Sequence, residues 1–400
     1  MSLRNVQEKT QAVPDAPPRL GAVRARNTLP SRVLHIGKFY RPHTGGMETY
    51  LANLVSHQAS HMPVQVVVAN DHPVTQTEML DGATITRVAS FGAIASQPIC
   101  PSLPWNLTGH ADALVHLHLP NPWAAQAYLL SGHRFKLVVT HHADTLGRPY
   151  LRKLVDPFVR RVMQRADAVI VSSRRYLEGS KELVPFRHKC YVVPMGIDLR
   201  AFQSEKVPAT SEICKKYGQR LLLAVGRLVP YKGFEFLIRA MKQVDATLLL
   251  IGTGPLQNEL QTLIVSLGLK DKVHLLGHVE DALPYYKVCR MLLFPSISRA
   301  ESFGLVQVEA MAAGLPVINT EIDSGAPEVS LHGVTGITVP PRDSNALAGA
   351  IKILLANEET RLKYARAAIA RSHQEFSIQR MAERTMDLYK FILGADSGRN

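Results

Sequence analysis

The sequence predicts an α/β protein with two doubly wound domains that face each other across a cleft. The 400-residue length suits two or three domains. Short apolar runs alternate with segments of helical periodicity, and this alternation is interrupted by a proline-bearing stretch before it resumes. Such alternation implies parallel sheets, and ligands of parallel sheets bind at the carboxyl ends of the strands.

Four regions follow in order: a flexible tail (1–30), an N-terminal domain (31–198), a C-terminal domain (209–375) and a C-terminal helix that packs back on the N-terminal domain (376–400). In the N-terminal domain, strands are predicted at 32–37, 64–69, 83–88, 113–118, 136–140, 168–171 and 191–193, with helices at 47–58, 122–131 and 149–165. In the second series, strands are predicted at 221–226, 247–251, 272–276, 291–294 and 316–319, with helices at 233–243, 256–267, 281–288, 306–313, 344–356, 358–372 and 377–393.

The composition excludes several classes of protein. Apolar residues make up 46% and charged residues 20% of the chain, unlike a disordered chain, a collagen or a coiled coil. We expect no membrane-spanning helix and no secretory signal. The four cysteines are widely spaced, which predicts reduced, mostly buried thiols in a cytoplasmic protein.

The net charge of +13 is concentrated in one region. Between Arg134 and Lys189 lie thirteen basic and only five acidic residues. Such a surface attracts polyanions, which here means nucleic acid, anionic lipid or a phosphorylated substrate. We recognise no nucleic-acid-binding motif, so we expect no nucleic-acid partner.

Two glycine loops are candidate phosphate-binding elements. Gly45 and Gly46 follow the first strand and open a helix, where bare backbone lets a ligand approach the helix N–H groups. A plain turn is the alternative interpretation. The second loop contains Gly252 and Gly254, but Gln257 stands where the dinucleotide fingerprint G-x-G-x-x-G has its third glycine. The first loop does not have this spacing either, so neither loop matches the glycine fingerprint of nicotinamide-binding proteins.

A basic loop gives the strongest local signal. Arg227 and Lys232 follow the strand at 221–226, within the segment Gly-Arg-Leu-Val-Pro-Tyr-Lys-Gly. Two cations at the end of a strand suit a diphosphate leaving group, because they neutralise charge that grows as the bond to phosphate breaks. A solvated basic loop without function remains the alternative. Because both residues lie in a loop, neither is expected to support the core.

Two carboxylates form the next candidate motif. Glu301 lies in a loop and Glu309 lies in the helix that follows. Carboxylate oxygens accept hydrogen bonds from adjacent hydroxyls of a sugar or ribose, and Phe303, Gly304 and Leu305 can present backbone N–H groups at the helix entry. As alternatives, Glu301 is a helix cap and Glu309 a surface charge.

Two adjacent histidines follow the strand at 136–140. His141 and His142 are expected to point into the cleft, where Asp144 orients a ring or binds a hydroxyl. A purely structural role is the alternative. Neither has the spacing of a helical zinc site.

In this order, the motifs resemble those of family 4 retaining glycosyltransferases, which have the GT-B fold of two Rossmann-like domains. The matching positions are Gly45-Gly46, His141, Gly-Arg-x4-Lys-Gly at 226–233, Gly252-Thr253-Gly254-Pro255, the E-x7-E pair Glu301 and Glu309, and Ala312-x-Gly314-x-Pro316-Val317. The opening segment 34–42 also resembles bacterial mannosyl- and rhamnosyltransferases of polysaccharide assembly. The segment 323–328 departs from the family's paired glycines, which leaves the sugar preference open.

The resemblance implies donor-binding roles. Arg227 and Lys232 would hold the donor diphosphate, Glu309 the ribose and Glu301 the donor sugar, with His141 beside the anomeric centre. The remaining implied donor contacts are Gly45, Gly46, Gly252, Gly254, Phe303, Gly304 and Leu305. Catalytic roles fall to His141, Glu301, Arg227 and Lys232.

The resemblance also implies a reaction and its partners. A hexosyl group, with mannose or rhamnose favoured, moves from a GDP- or UDP-linked sugar to a glycan or lipid-linked acceptor in cell-surface polysaccharide synthesis. Attack occurs on the leaving-group face, with no cofactor and no metal. The expected location is cytoplasmic. Separately from the resemblance, a cluster of basic residues in and beside the predicted helix 149–165 predicts peripheral contact with the anionic inner face of the plasma membrane: Arg148, Arg152, Lys153, Arg160, Arg161 and Arg165. A core-packed helix with a solvated basic face is the alternative. A nucleotide-sugar epimerase, a phosphorylase and a non-enzymatic basic binding protein remain alternatives.

Overall fold

A computed structural model describes residues 29–43, 45–94, 97–110, 112–144, 149–203 and 210–394, without the side chains of 149–155 and 203. All but the last two residues of the expected tail therefore lie outside the described residues, as do residues 395–400. The described residues form two large sheets that are almost entirely parallel, with helices between their strands. This confirms the predicted α/β class.

The N-terminal sheet has the strand order β10-β9-β8-β7-β1-β2-β4-β3 among the described residues. Its strands are β1 (Val33–Ile36), β2 (Val64–Ala69), β3 (Gln76–Leu80), β4 (Ala83–Val88), β7 (Leu114–Leu119), β8 (Leu137–His141), β9 (Ala168–Val171) and β10 (Cys190–Val192). A separate two-stranded ribbon contains β5 (Ala93–Ile94) and β6 (Gln97–Pro98). The helices are α1 (Gly46–Gln58), α2 (Leu103–Asn106), α3 (Pro122–Leu130), α4 (Pro149–Arg165) and α5 (Arg174–Gly179), with 3-10 turns at Val184–Lys189 and Arg200–Gln203.

The C-terminal sheet is parallel throughout, in the order β13-β12-β11-β14-β15-β16. Its strands are β11 (Leu221–Val225), β12 (Thr247–Ile251), β13 (Val273–Gly277), β14 (Leu292–Phe294), β15 (Val317–Thr320) and β16 (Gly336–Val339). The helices are α6 (Thr210–Tyr217), α7 (Phe234–Ala240), α8 (Gln257–Ser266), α9 (Leu283–Val288), α10 (Leu305–Ala312), α11 (Ala326–Val329), α12 (Ser344–Ala356), α13 (Glu358–Glu375) and α14 (Ile378–Gly394), with 3-10 turns at Pro230–Lys232 and Met241–Gln243.

Two strands of the large sheets, β3 and β16, and the short ribbon of β5 and β6 were not predicted. Strand β3 was not predicted, and it pairs antiparallel with β4 at the sheet edge. Four of its five residues are exposed, including the apolar Met79, so the strand has no buried apolar face, but Asp81 and Gly82 have the positive φ angles of a tight hairpin turn. Strand β16 lies in a stretch predicted to be a loop. A Cβ on Gly336 would overlap the backbone of Val317, so close strand pairing explains this glycine.

The last helix joins the two halves of the molecule. Helix α14 lies against α1, and the Gln58 amide donates to the Tyr389 hydroxyl at 3.3 Å. That hydroxyl also lies 2.6 Å from Nδ1 of His116 on β7. Within the described residues, no helix is long and apolar enough to cross a membrane. All four cysteines are free and three are buried, as predicted.

Candidate active site

The N-terminal side of the cleft begins with the Gly45-Gly46 pair. Gly46 is the first residue of α1, and a Cβ placed there would meet no described atom within 4 Å. A Cβ on Gly45 would touch the side chain of Glu48. The first-turn N–H groups of α1 therefore border space that a ligand can enter, because they lack acceptors within the helix. Direct donor contact by Gly45 and Gly46 stays a prediction.

His141 ends β8, and two side chains of the same domain fix its ring. The Tyr176 hydroxyl lies 2.8 Å from Nδ1, and a Glu182 carboxylate oxygen lies 3.4 Å from Nε2. Burial, with negative charge at Asp144 and Glu182, raises the pKa of Tyr176 well above its usual value, so its hydroxyl stays protonated. The same hydroxyl donates to a carboxylate oxygen of Asp144 at 3.3 Å, so Tyr176 connects the imidazole to this carboxylate.

Ion pairs connect this half of the cleft to the other domain. A carboxylate oxygen of Asp144 lies 2.8 Å from the Arg299 guanidinium. The backbone N–H of Arg175 donates to Glu328 at 2.7 Å, and the Arg175 guanidinium lies 2.5 Å from Glu321. The two domains are therefore joined around the cleft close to His141.

His142 does not share the cleft with His141, and the expectation that both point there is wrong. Its Nε2 lies 3.2 Å from Nδ1 of His118, which leads through His35 to Gln58 inside the domain. Burial lowers the pKa of His142 to about 3 and that of His35 to about 4, so both rings are neutral at pH 7. Consecutive residues of an extended segment point to opposite sides, which separates the two histidines.

The described residues contain two groups of three side chains whose ligand atoms lie within 4.8 Å of one another: His35, His116 and His118, and His141, Asp144 and Glu182. In the first group, both ring nitrogens of His116 already have partners, the Tyr389 and Thr140 hydroxyls, each at 2.6 Å. In the second, Asp144 pairs with Arg299. The absence of a metal requirement stays a prediction, which chelation tests.

The Arg227 loop is held by backbone contacts with the second glycine loop. The N–H of Gly226 donates to Ile251 and that of Leu228 to Thr253, each at 2.9 Å. A Cβ on Gly252 or Gly254 would overlap the backbone of residues 226–228. These two glycines therefore support the Arg227 loop, and their direct contact with a donor stays a prediction. Arg227 itself is exposed.

Lys232 and Glu301 form a buried ion pair. Of the two cations predicted to meet a diphosphate, Lys232 is therefore buried and paired, whereas Arg227 is exposed. The Lys232 ammonium donates to the Glu301 carboxylate, which also accepts from the Ser296 hydroxyl at 3.0 Å. The ammonium lies 5.0 Å from the Phe294 ring centroid. Because a buried charge depends on its partner, Lys232 supports the fold as well as the candidate site. The expectation that this lysine lies outside the core is wrong.

Glu309 is not a plain surface charge. The Tyr286 hydroxyl donates to its Oε2 at 2.7 Å, and burial raises the pKa of the Glu309 carboxyl. Burial and the carboxylate likewise raise the pKa of Tyr286 well above its usual value. The tyrosine thus orients the carboxylate, and Oε1 can accept hydrogen bonds from a ligand's hydroxyls.

The entry to α10 explains its glycine. Gly304 has φ 85° and caps the helix, and a Cβ there would lie 2.5 Å from the Phe294 ring. The Phe303 side chain is buried against Phe376, with ring centroids 5.8 Å apart. Only backbone groups of Phe303 and Gly304 are thus suited to ligand contact, while Leu305 begins the helix with an N–H that has no partner within it.

Sequence reasoning missed three partners of the site residues. Tyr176 and Glu182 fix His141, and the sequence separates them from it by 35 and 41 positions. Tyr286 orients Glu309 from 23 positions away. A rule of sequence spacing does not find such pairs, although each is brought to the site by the end of a strand or a neighbouring helix.

Two family models match this chain. The model described as "Glycosyltransferase Family 4" matches residues 44–201, and the one described as "Glycosyl transferases group 1" matches residues 210–371. The first range contains most of the N-terminal sheet, and the second contains the whole C-terminal sheet.

Curated relatives and a solved structure are similar over most of the chain. D-rhamnosyltransferase WbpZ of Pseudomonas aeruginosa is 30% identical over 353 residues, 86% of this chain and 92% of the relative. O-antigen chain mannosyltransferase C of Escherichia coli is 29% identical over 375 residues, 92% of this chain and 100% of the relative. The crystal structure of Anabaena HepE in complex with UDP has a TM-score of 0.72 at 21% identity, and covers 89% of this chain and 99% of that one.

Proposed function

Because this chain belongs to the family 4 glycosyltransferases, with their GT-B fold, we propose that it transfers a hexosyl group from a GDP- or UDP-linked sugar. The resemblance carried by the sequence motifs is thereby confirmed, and the protein is a glycosyltransferase. Mannose or rhamnose is the favoured sugar, since the two curated relatives are named for these sugars. The acceptor is a hydroxyl of a glycan or lipid-linked glycan in cell-surface polysaccharide synthesis.

One observation carries the choice of donor chemistry: an exposed guanidinium, Arg227, at the carboxyl end of β11, beside the buried Lys232–Glu301 pair. The diphosphate of the donor meets both cations, and Glu301 accepts hydrogen bonds from the sugar. Glu309 accepts from the ribose through the oxygen that Tyr286 does not use.

In the proposed reaction the bond between the anomeric carbon and the phosphate oxygen breaks, and both bonding electrons leave with the nucleoside diphosphate. The acceptor oxygen bonds to the anomeric carbon on the same face, which retains the configuration. The acceptor's proton goes to a phosphate oxygen. Arg227 and Lys232 stabilise the growing charge on the diphosphate, and His141 positions the sugar.

Product analysis tests this proposal. Purified protein is incubated with labelled GDP-mannose, GDP-rhamnose and UDP-sugars together with lipid-linked and free glycans. Transfer yields a glycoside whose anomeric configuration matches the donor, as read by NMR. An isomerised nucleotide sugar would indicate an epimerase, a sugar phosphate released in the presence of phosphate would indicate a phosphorylase, and absence of turnover with every donor would contradict the proposal.

A peripheral membrane contact belongs to the same proposal. In the described part of α4, Phe158 is 38% exposed and is followed by exposed Arg160 and Arg161. Val184, in the 3-10 turn beside α4, is 53% exposed. Cations next to exposed apolar side chains suit an anionic lipid surface, to which each basic residue adds about 1 kcal/mol. Of the residues that first suggested this surface, Arg148 lies outside the described residues, and the side chains of Arg152 and Lys153 are not described.

Co-sedimentation with liposomes tests the contact. We expect binding to phosphatidylglycerol vesicles that weakens at high salt and is absent on phosphatidylcholine. The variant Arg160→Glu/Arg161→Glu should lose this binding, whereas Lys215→Glu/Lys216→Glu, an equal charge change on exposed residues of α6, should retain it. Equal binding to both lipids, or equal loss in both variants, would contradict electrostatic docking through α4.

A further inference from the structure

A cavity of about 570 Å³ lies in the N-terminal domain between α4 and the segment 181–186. Its wall is largely apolar and is formed by Pro157, Val159, Met163, Pro185 and Phe186. Pockets of this size hold a drug-sized organic ligand, and apolar walls of this kind favour a hydrocarbon group.

Two cations border this apolar wall from different elements. Arg160 belongs to α4 and Lys181 follows α5, and both side chains are exposed. Neither makes an ion pair within the part of the chain that the structure describes. The two acidic residues of the lining, Asp156 and Glu182, both have interaction partners. The cavity therefore combines a hydrocarbon-like wall with positive charge at Arg160 and Lys181, which suits an anion joined to an apolar chain.

The cavity also reaches the candidate catalytic centre. His141 and Glu182 contribute to its lining, and they are the pair whose ring nitrogen and carboxylate oxygen lie 3.4 Å apart. Beyond His141, Asp144 meets Arg299 of the C-terminal domain. A ligand bound along this cavity thus has one end at His141, on the N-terminal side of the cleft.

We propose that this cavity holds the lipid diphosphate part of a lipid-linked acceptor, with a prenyl chain on the apolar wall and the diphosphate between Arg160 and Lys181. The inference rests on the proposed glycosyl transfer and names its acceptor class. A free oligosaccharide carries neither a hydrocarbon chain nor an anion and would leave both features of the cavity unused. The glycan then extends past His141 towards the donor sugar.

Calorimetry with the full chain tests the ligand chemistry apart from catalysis. Saturating UDP or GDP first fills the donor site, and farnesyl diphosphate, farnesol, inorganic diphosphate and dihexanoyl phosphatidylglycerol are then titrated separately. We expect farnesyl diphosphate to bind about tenfold more tightly than each of the other three, because only it offers both the diphosphate and the prenyl chain. Equal affinity for inorganic diphosphate or for the phospholipid would overturn the proposal.

Matched variants locate the site. Arg160→Ala/Lys181→Ala should weaken farnesyl diphosphate binding about tenfold or more. Arg161→Ala, which removes the exposed neighbouring cation outside the lining, should leave it unchanged. Both changes are at exposed positions, and the melting temperature verifies that each variant is folded. Unchanged binding in the double variant would overturn the assignment.

Kinetics separates this inference from the proposed function. In the double variant, KM for a lipid-linked acceptor should rise about tenfold while KM for the nucleotide sugar stays constant. A rise confined to the nucleotide sugar, or equal use of free and lipid-linked glycan by the wild-type protein, would refute the acceptor site without touching glycosyl transfer. If no donor supports transfer, the proposed function fails, and the farnesyl diphosphate titrations still decide whether the cavity binds its ligand.

Discussion

The two sides of the cleft use different electrostatics. On the C-terminal side, formal charges lie at the ligand-facing ends of strands and loops, at Arg227, Lys232 and Glu301. On the N-terminal side, the interior behind His141 is a chain of neutral imidazoles that includes His142 and whose pKa values burial lowers. The charged groups proposed to recognise the donor therefore lie on the C-terminal side, whereas the interior that supports His141 on the N-terminal side is built from buried neutral rings.

The two sides also use glycine differently. Gly252 and Gly254 leave no room for a Cβ, because the Arg227 loop packs directly on their backbone. Gly46 borders open space instead. The absence of a side chain therefore allows close packing under the Arg227 loop at Gly252 and Gly254, and it leaves the backbone accessible at Gly46 on the N-terminal side.

Lys232→Ala should affect both turnover and stability. Loss of one charge that stabilises the leaving group costs about 2.7–4 kcal/mol, or roughly 10²–10³ in kcat. Glu301 is left buried without its partner, and breaking such a pair costs about 3–5 kcal/mol of folding stability. Assays of kcat and urea unfolding check the two effects. Lys232→Ala/Glu301→Gln should recover part of the stability but not the activity, and full stability in the single variant would contradict the structural role.

Arg227→Ala should separate these effects. The guanidinium is exposed, so we expect a loss of roughly 10²–10³ in kcat with an unchanged unfolding midpoint. Arg239→Ala, at an exposed position of α7, is the matched control and should retain activity. Near-normal turnover in Arg227→Ala would contradict the assignment of Arg227 to the donor diphosphate. It would also contradict the proposed difference in electrostatics between the two sides of the cleft.

The neutral histidines predict a pH dependence of stability. The folded pKa is about 4 for His35 and about 3 for His142, against about 6.5 in an unfolded chain. The unfolded state therefore binds more protons below about pH 6.5, so stability is complete above that pH and falls as the pH drops towards 4. Urea unfolding at pH 5 and pH 7 measures this effect. In His35→Asn the difference between the two midpoints should shrink, and a wild-type midpoint independent of pH would refute burial of neutral rings.

Tyr176→Phe should have a moderate effect confined to the N-terminal side. It removes the hydroxyl that lies 2.8 Å from His141 Nδ1, and a neutral hydrogen bond of this kind contributes about 0.5–1.5 kcal/mol. We expect kcat to fall about two- to tenfold while donor affinity stays constant. Tyr176 positions His141, so its loss should act on kcat. A change in nucleotide affinity alone would contradict the assignment of Tyr176 to the N-terminal side of the site.

Chelation should have the smallest effect. Since Arg227 and Lys232 supply the positive charge at the diphosphate, turnover is expected to persist in EDTA. Activity that disappears in EDTA and returns with magnesium or manganese would show that the two cations do not suffice, and His141, Asp144 and Glu182 would become candidate ligands.

Much of the fold could be predicted because its signals are local. The strands at 168–171 and 247–251 and the helices at 149–165 and 344–356 have the predicted bounds, since apolar periodicity and helix caps act within a few residues. The antiparallel edge strand β3 was not predicted because it is mostly exposed and has no buried apolar face, although the Asp81-Gly82 turn gave a signal.

The sequence by itself determined the chemical types and their order: a cation-bearing loop after β11, carboxylates around the start of α10, and a histidine at the end of β8. It could do so because these groups follow strand ends, which meet at one edge of a parallel sheet. Only the tertiary structure decided the partners. It joined Lys232 to Glu301 across 69 positions, turned His142 away from His141 and enclosed the apolar cavity beside α4. Pairing and enclosure depend on how distant segments pack, and no local pattern records that packing.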